Sequence, residues 1–278
     1  MSIFICPVCG EKLEINGNAY VCQKRHSFDI ARSGYVNLLL SKHMGKTVHG
    51  DNKLMVQARR RFLDKGYYKP LCDALCEAAA AHFSGKVLLD AGCGEGYYTT
   101  AIFDCFDKAD IAAEMYGIDI SKAAVECAAK RCGGISFAAA SVFHIPAGDS
   151  TCDMLVTLFA PYCGSEYRRV LKKSGIMIMA IPSEEHLWEL KQAVYDTPYK
   201  NEVKPYELEG FELIGKKHIT YDMELTSRED IEALFAMTPY YYRTSPQQRD
   251  RLAGYDSLRT KADFELLIYC AKGLTDSA

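Results

Sequence analysis

The 278-residue sequence predicts an α/β fold, a mostly parallel sheet of seven strands with a small cysteine-rich ribbon ahead of it. Three observations carry that prediction. An apolar strand, Val87 to Asp90, runs into a turn with glycines at 92, 94 and 96 and then into a helical stretch from Tyr97 to Phe106. A second strand, Met115 to Asp119, ends in a carboxylate where doubly wound nucleotide-binding folds keep the acceptor for a ribose diol. Cys6, Cys9, Cys22 and His26 stand in C-x2-C-x12-C-x3-H spacing before residue 30.

In chain order the cysteines come first. Two close ligand pairs joined by a short loop let the chain fold two knuckles around a tetrahedral zinc ion, which thiolates and imidazole suit. Gly10 and Asn16-Gly17 supply the turns, and the alternation between Cys9 and Cys22 reads as a β-hairpin instead of a recognition helix. Four protein ligands make a closed, structural site. Eight of the twelve cysteines, at 72, 76, 93, 105, 127, 132, 152 and 163, sit singly in apolar or helical surroundings and read as small packing residues.

The polar stretch Ser41 to Gly50 reads as a mobile connector, after which Asp51 is expected to cap a helix running to a stop at Gly66. Leu54, Met55, Ala58 and Phe62 fall on one apolar face. Arg59, Arg60 and Arg61 cannot all share that face, so at least two should meet solvent or a phosphate backbone. The expected organisation is a zinc ribbon over 1–40, a basic linker and helix over 41–70, and the main domain over 71–278.

Further strands are predicted at Ile135 to Ala139, Asp153 to Phe159, Ile176 to Ile181, Phe211 to Thr220 and Phe264 to Ala271, the last two closing the sheet as a hairpin-like pair. Between Ser183 and Ser245 lies a variable region with helices near 185–195 and 227–236.

The glycine turn reads D-A-G-C-G-E-G, not G-x-G-x-x-G. Carboxylates at Asp90 and Glu95 would repel a pyrophosphate but suit a cofactor carrying an ammonium and a sulfonium. The pattern resembles the first motif of class I, Rossmann-like S-adenosylmethionine (SAM)-dependent methyltransferases. On this reading Gly92, Gly94 and Gly96 follow the methionine portion, Asp119 the ribose and Ile120 one adenine wall, with Val142 and Phe143 opposite; Tyr97 opens the helix behind the turn.

Charge is divided unevenly. Residues 1–70 hold 12 Lys+Arg against 5 Asp+Glu, net +7, while the remainder carries net −10 and the whole chain −3. An anionic partner therefore belongs to the N-terminal part. No run approaches the roughly 18 apolar residues of a membrane span, and Met1-Ser-Ile-Phe-Ile-Cys lacks a signal-peptide pattern, so no membrane partner and a cytoplasmic location are expected.

The knuckle followed by H-S-F-D and G-Y-V-N-L-L, then G-D-N-K-L-M-V-Q-A-R-R-R-F-L-D-K-G-Y-Y-K-P-L, then L-D-A-G-C-G-E-G-Y-Y-T, closely resembles the bacterial 23S ribosomal RNA guanine-N1 methyltransferases. Later matches include Thr157 to Pro161, Pro182 to Lys191 and Met237 to Ser245. The resemblance implies SAM and zinc as cofactors, 23S rRNA as partner, N1 of a guanine in an exit-tunnel hairpin loop as methyl acceptor, and a homodimer whose cleft holds that hairpin. It further implies that Tyr68 and His186 meet the cofactor. His186 reads as a surface residue.

Removal of the guanine N1 proton leaves Asp90, Glu95, His144 and Asp149 as candidate bases that the sequence does not separate. Phe159 stacks on the base or packs in the core. Tyr241 and Arg243, within Tyr240-Tyr-Tyr-Arg243, meet splayed RNA bases or the zinc module. The alternative function is a small-molecule methyltransferase, acting on a metabolite or quinone precursor, with a structural zinc appendage.

Overall fold

The computed structural model describes residues 2–40, 50–203 and 205–273, without the side chains of Tyr242 and Arg243. In the ribbon, β1 (Glu14–Asn16) and β2 (Ala19–Val21) form the expected antiparallel hairpin, and β3 (Ser27–Asp29) adds to β2. β4 (Val36–Asn37) follows. The helices α1 (Lys53–Asp64) and α2 (Lys69–His82) lead into β5 (Val87–Ala91), α3 (Tyr97–Lys108), β6 (Glu114–Asp119), α4 (Lys122–Arg131) and β7 (Ser136–Ala139). Next come β8 (Cys152–Leu158), α5 (Gly164–Val170), β9 (Leu171–Pro182) and α6 (Trp188–Val194). The chain closes with β10 (Phe211–Leu225), α7 (Arg228–Ala236), the short α8 (Tyr240–Arg243) and α9 (Pro246–Asp250), and β11 (Leu258–Ala271).

All seven predicted strands join one sheet, in the order β10-β11-β9-β8-β5-β6-β7-β4. The eighth member is the unpredicted β4, which leaves the ribbon and pairs in parallel with β7 at the sheet's edge. From β9 to β4 neighbouring strands run parallel; β11 is antiparallel to β9, and β10 to β11. Every residue of β5 is buried, as a central parallel strand covered on both faces requires.

Alternation along β5 divides the core. Leu88 faces a layer with Phe62, Leu71, Leu75, Ile102 and Phe106, whereas Leu89 faces one with Ile118, Tyr167 and the ribbon's Phe4, Leu13 and Tyr20. Phe4 packs edge-on to Tyr20 and Tyr116, with ring centroids 5.8 and 5.4 Å away. Burying a ring of that size stabilises by about 2–3 kcal/mol, so the ribbon is part of the main core.

Helix α1 departs from the sequence reading at its start. Asn52, not Asp51, is the N-cap, its side chain accepting from the Met55 N–H at 3.0 Å. Asp51 is instead ion-paired with Arg59. Leu54 is 76% exposed and leaves the apolar face, which Met55, Val56, Ala58, Phe62 and Leu63 form. The expected stop holds, with Gly66 at φ +81°. The connector predicted from Ser41 lies outside the described residues as far as 49. No helix among the described residues is long and apolar enough to cross a membrane.

Candidate active site and metal centre

The ligand atoms of Cys6, Cys9, Cys22 and His26 all lie within 4.8 Å of one another. The Cys9 and Cys22 sulfurs are 3.7 Å apart, and His26 Nδ1 is 3.5 Å from Cys6 Sγ and 3.4 Å from Cys22 Sγ. A tetrahedral ion with bonds of about 2.3 Å to sulfur sets its ligand atoms roughly 3.7 Å apart. The donor set and its edges therefore fit zinc. Burial pushes the Cys22 thiol up, but the His26 backbone and the neighbouring Cys9 and His26 side chains outweigh it and bring it down to about 7. A thiol so placed gives up its proton readily to a metal.

The second site is a cavity of about 1120 Å³ over the carboxyl ends of β5, β6 and β8. Its floor is the glycine turn. Gly92 has φ +95°, and a Cβ there would stand 2.4 Å from Ala160 Cβ; at Gly96, φ +84°, a Cβ would stand 2.8 Å from Ala128 Cβ. Those two positions let the turn pass beneath the loop after β8 and against α4. Asp119 ties the turn to β6, its carboxylate accepting from the Gly94 N–H at 3.0 Å and the Ser121 N–H at 2.8 Å. Burial pushes the Asp119 carboxyl up, partly offset by those two N–H donors.

Asp90 is buried under the turn and accepts from the Thr99 hydroxyl at 2.6 Å through Oδ2, leaving Oδ1 without a partner. Burial brings its pKa up to about 7. Glu95 is buried too and accepts from the Arg131 guanidinium through Oε2, while Oε1 stays unpartnered. Two orphaned carboxylate oxygens beside the cavity are what an ammonium-bearing cofactor would satisfy. The fit with SAM rests on them.

The structure brings Tyr68, Asp90, Gly92, Gly94, Glu95, Tyr97, Asp119, Ile120, Val142, Phe143 and His186 onto one lining. His186 is not at the surface but 7% exposed. Its Nδ1 accepts from the Asp263 N–H at 3.2 Å, so Nε2 carries the proton and stands 3.4 Å from the Tyr68 hydroxyl. Burial, reinforced by the Lys191 charge, lowers the His186 pKa to about 3, which keeps the ring neutral.

Phe159, at the end of β8, has φ +57° and is 46% exposed in the cavity, its ring 5.6 Å from that of Phe264. A bulky residue in left-handed backbone stores strain, a feature common at functional sites. Among the candidate bases, His144 lines the cavity, whereas Asp149 is exposed and paired with Arg169 at 2.9 Å outside the lining.

The three arginines of α1 part company. Arg59 enters the cavity, Arg60 pairs with Asp64 at 3.5 Å, and Arg61 lines a separate groove of about 470 Å³ between α1, α7 and α9. Tyr241 belongs to that groove as well, with the Arg249 guanidinium 4.2 Å above its ring. Tyr240 instead lines the cavity. The Arg243 side chain falls outside those described.

Sequence reasoning missed Tyr199 to Glu202, which form the far wall together with Met237 to Tyr240. Asn201 is its hub. Its Oδ1 accepts from Lys191 Nζ at 2.7 Å and from the Tyr240 hydroxyl at 3.1 Å, and its Nδ2 donates to the Ser183 carbonyl at 2.8 Å and the His186 carbonyl at 3.3 Å. Lys191 is 1% exposed, lies 4.8 Å from the Tyr199 ring centroid, and burial pushes its ammonium pKa down. No local pattern marks these contacts. Arg59 did carry a signal, since it sits four residues after Met55 and three before Phe62, on the inward stripe.

Comparison with known proteins agrees with this geometry. A zinc-ribbon family described as RlmA, N-terminal, matches residues 4–44, and a methyltransferase-domain family matches residues 82–226. A Bacillus subtilis protein provisionally named as the 23S rRNA (guanine-N1)-methyltransferase YxjB is 31% identical, over 96% of each chain. The 23S rRNA (guanine(748)-N1)-methyltransferase of Streptomyces fradiae is 29% identical, over 88% of each. Among solved structures, a chain from the complex of the Haloferax volcanii Trm112 methyltransferase activator with a methyltransferase aligns with a TM-score of 0.52. That chain is 17% identical and covers 80% of this chain and 97% of itself, a likeness of fold. With ribbon and catalytic modules matched in the same order, the chain is a SAM-dependent, zinc-binding methyltransferase and belongs to the bacterial 23S rRNA guanine-N1 methyltransferase family.

Proposed function

We propose that the enzyme methylates N1 of a guanine in a hairpin loop of 23S rRNA. The observation that carries this reading is the match over nearly the full chain, ribbon included, to relatives named for that reaction. The cavity supports it, because its lining extends from the cofactor turn to the exposed rings of Phe143 and Phe159 and can receive a flipped base beside the cofactor.

SAM, when bound, supplies the methyl group on its sulfonium. The chain's residues align and enclose. Asp119 holds the ribose, the orphaned oxygens of Asp90 and Glu95 receive the ammonium, and the neutral Tyr68–His186 pair closes the side toward β11. Phe159 stacks on the guanine, and alignment of N1 with the methyl would supply much of the acceleration by proximity, the N1 proton passing to water or to a base on the lining. Arg60, Arg61 and Tyr241 stand off the cavity lining, and together with Arg243 they guide the RNA backbone and loop. The division into 1–40, 41–70 and 71–278, the homodimer and the cytoplasmic location belong to the same reading.

The test is mass-spectrometric mapping of 23S rRNA after incubation of unmethylated RNA with enzyme and labelled SAM. A single N1-methylguanine in a hairpin loop is expected. Cofactor binding without RNA methylation would overturn the reading and favour a small-molecule acceptor.

A further inference from the structure

The cofactor is a zwitterion with one anionic group, and the cavity is built mainly for its cationic ones. Asp51, Asp90, Glu95, Asp119 and Glu202 line it. Among the described residues the basic side chains on that lining, the two imidazoles of His144 and His186 aside, are Arg59 and Lys200. Lys200 is turned to Glu184 and Glu185, 3.3 Å from each. Arg59 is turned to the glycine turn, where a Cβ on Gly94 would find Arg59 Nη1 at 4.0 Å as its nearest neighbour.

We propose that Arg59 binds the methionyl carboxylate of SAM, and that it is a cofactor residue instead of an RNA-binding one. The guanidinium is held in advance. Nη1 is ion-paired with Asp51, Nη2 donates to the Met237 carbonyl at 3.3 Å, and the Asp51 carbonyl accepts from the Ser121 hydroxyl at 2.6 Å. Among the described residues these contacts use two of the five guanidinium N–H donors, and the rest are the kind that a carboxylate accepts. Asp119 and Tyr68 bracket its position: burial raises both, and the Arg59 charge partly offsets that rise in each. The carboxylate site falls beside Gly94, on the turn that carries the methionine portion and on the lining that Arg59 shares with Tyr68, Asp119 and His186. The inference rests on cofactor binding alone and stands whether the methyl acceptor is RNA or a small molecule.

Isothermal titration of the full chain with SAM and with decarboxylated SAM tests it. Wild type should prefer SAM by about 30-fold or more, the scale of a partly buried charge-assisted bond. General electrostatics works the other way, because decarboxylated SAM brings more positive charge to an acidic cavity. Arg59→Met should weaken SAM by about the same factor and decarboxylated SAM by less than about 3-fold, with Arg59→Lys between. Equal wild-type affinity for the two ligands would overturn the proposal without any variant. So would an Arg59→Met protein that loses affinity for both in parallel, or that binds SAM as wild type does.

Discussion

The metal ribbon and the far wall of the cavity are both polar constructions on one fold, but they are specified at different distances. The ribbon's four ligands lie within 21 residues, and two turns suffice to gather them. The far wall joins Asn201 to Lys191, Ser183, His186 and Tyr240, groups drawn from α6, its approach and α8. A closed metal site can be encoded by spacing because the ion dictates the geometry. A cavity wall has no such arbiter, and its geometry is whatever packing leaves when every buried polar atom finds a partner.

Cys22→Ser tests the ribbon side and should have the largest effect. Zinc content should fall from one per chain toward none, and the melting temperature by roughly 10 °C or more, since a structural zinc contributes about 10 kcal/mol or more of folding free energy. The loss should reach the main domain because Phe4 and Tyr20 share a layer with Tyr116 and Ile118. Metal analysis with calorimetry reads both, and full zinc occupancy in the variant would break the comparison.

Asn201→Ala is the matching change in the far wall. It removes two acceptor contacts and two donor contacts at once and leaves the Lys191 ammonium with the Tyr199 carbonyl, 2.9 Å away, as its remaining hydrogen-bond partner on that side. A cost of about 2 kcal/mol follows from the unsatisfied groups, or about 5 °C in melting temperature. Zinc content should not change. A drop in zinc content would show the two regions to be one cooperative unit.

The smallest effect belongs to Asp90→Asn in the cofactor-free protein. Burial places the Asp90 pKa near 7, above its ordinary value. Stability linked to its neutral form is fully present below about pH 4 and is lost as pH rises through about 7. The asparagine variant, which keeps an acceptor for Thr99, should therefore match wild type near pH 4 and melt a few degrees higher at pH 8. Thermal scans across that range would show a constant offset if Asp90 were ionised throughout.

What the sequence made legible follows the same division. The glycine turn, Asp119 and the Cys/His set are readable because each is a short pattern with a physical reason for its spacing. All seven main strands were readable from apolar runs. Asp51 and Asn52 were confused because both are good caps, and the tertiary ion pair to Arg59 decided which was free to do it. His186 was misplaced at the surface because its burial depends on β11, some 77 residues away, through the Asp263 N–H. The wall at Tyr199 to Glu202 had no signature at all, being a connection without periodicity between α6 and β10.

The two-residue strand Val36–Asn37 gives the ribbon a further role. It pairs with Ala138 and Ala139 of β7, the next parallel strand in from that edge. A chain cut after residue 40 would not be a trimmed catalytic domain but a sheet whose edge is newly opened at Ala138–Ala139, ready to pair with another copy. Such a truncation should be expected to self-associate before it is ever assayed, and any loss of methyl transfer in it would report on solubility as much as on the ribbon.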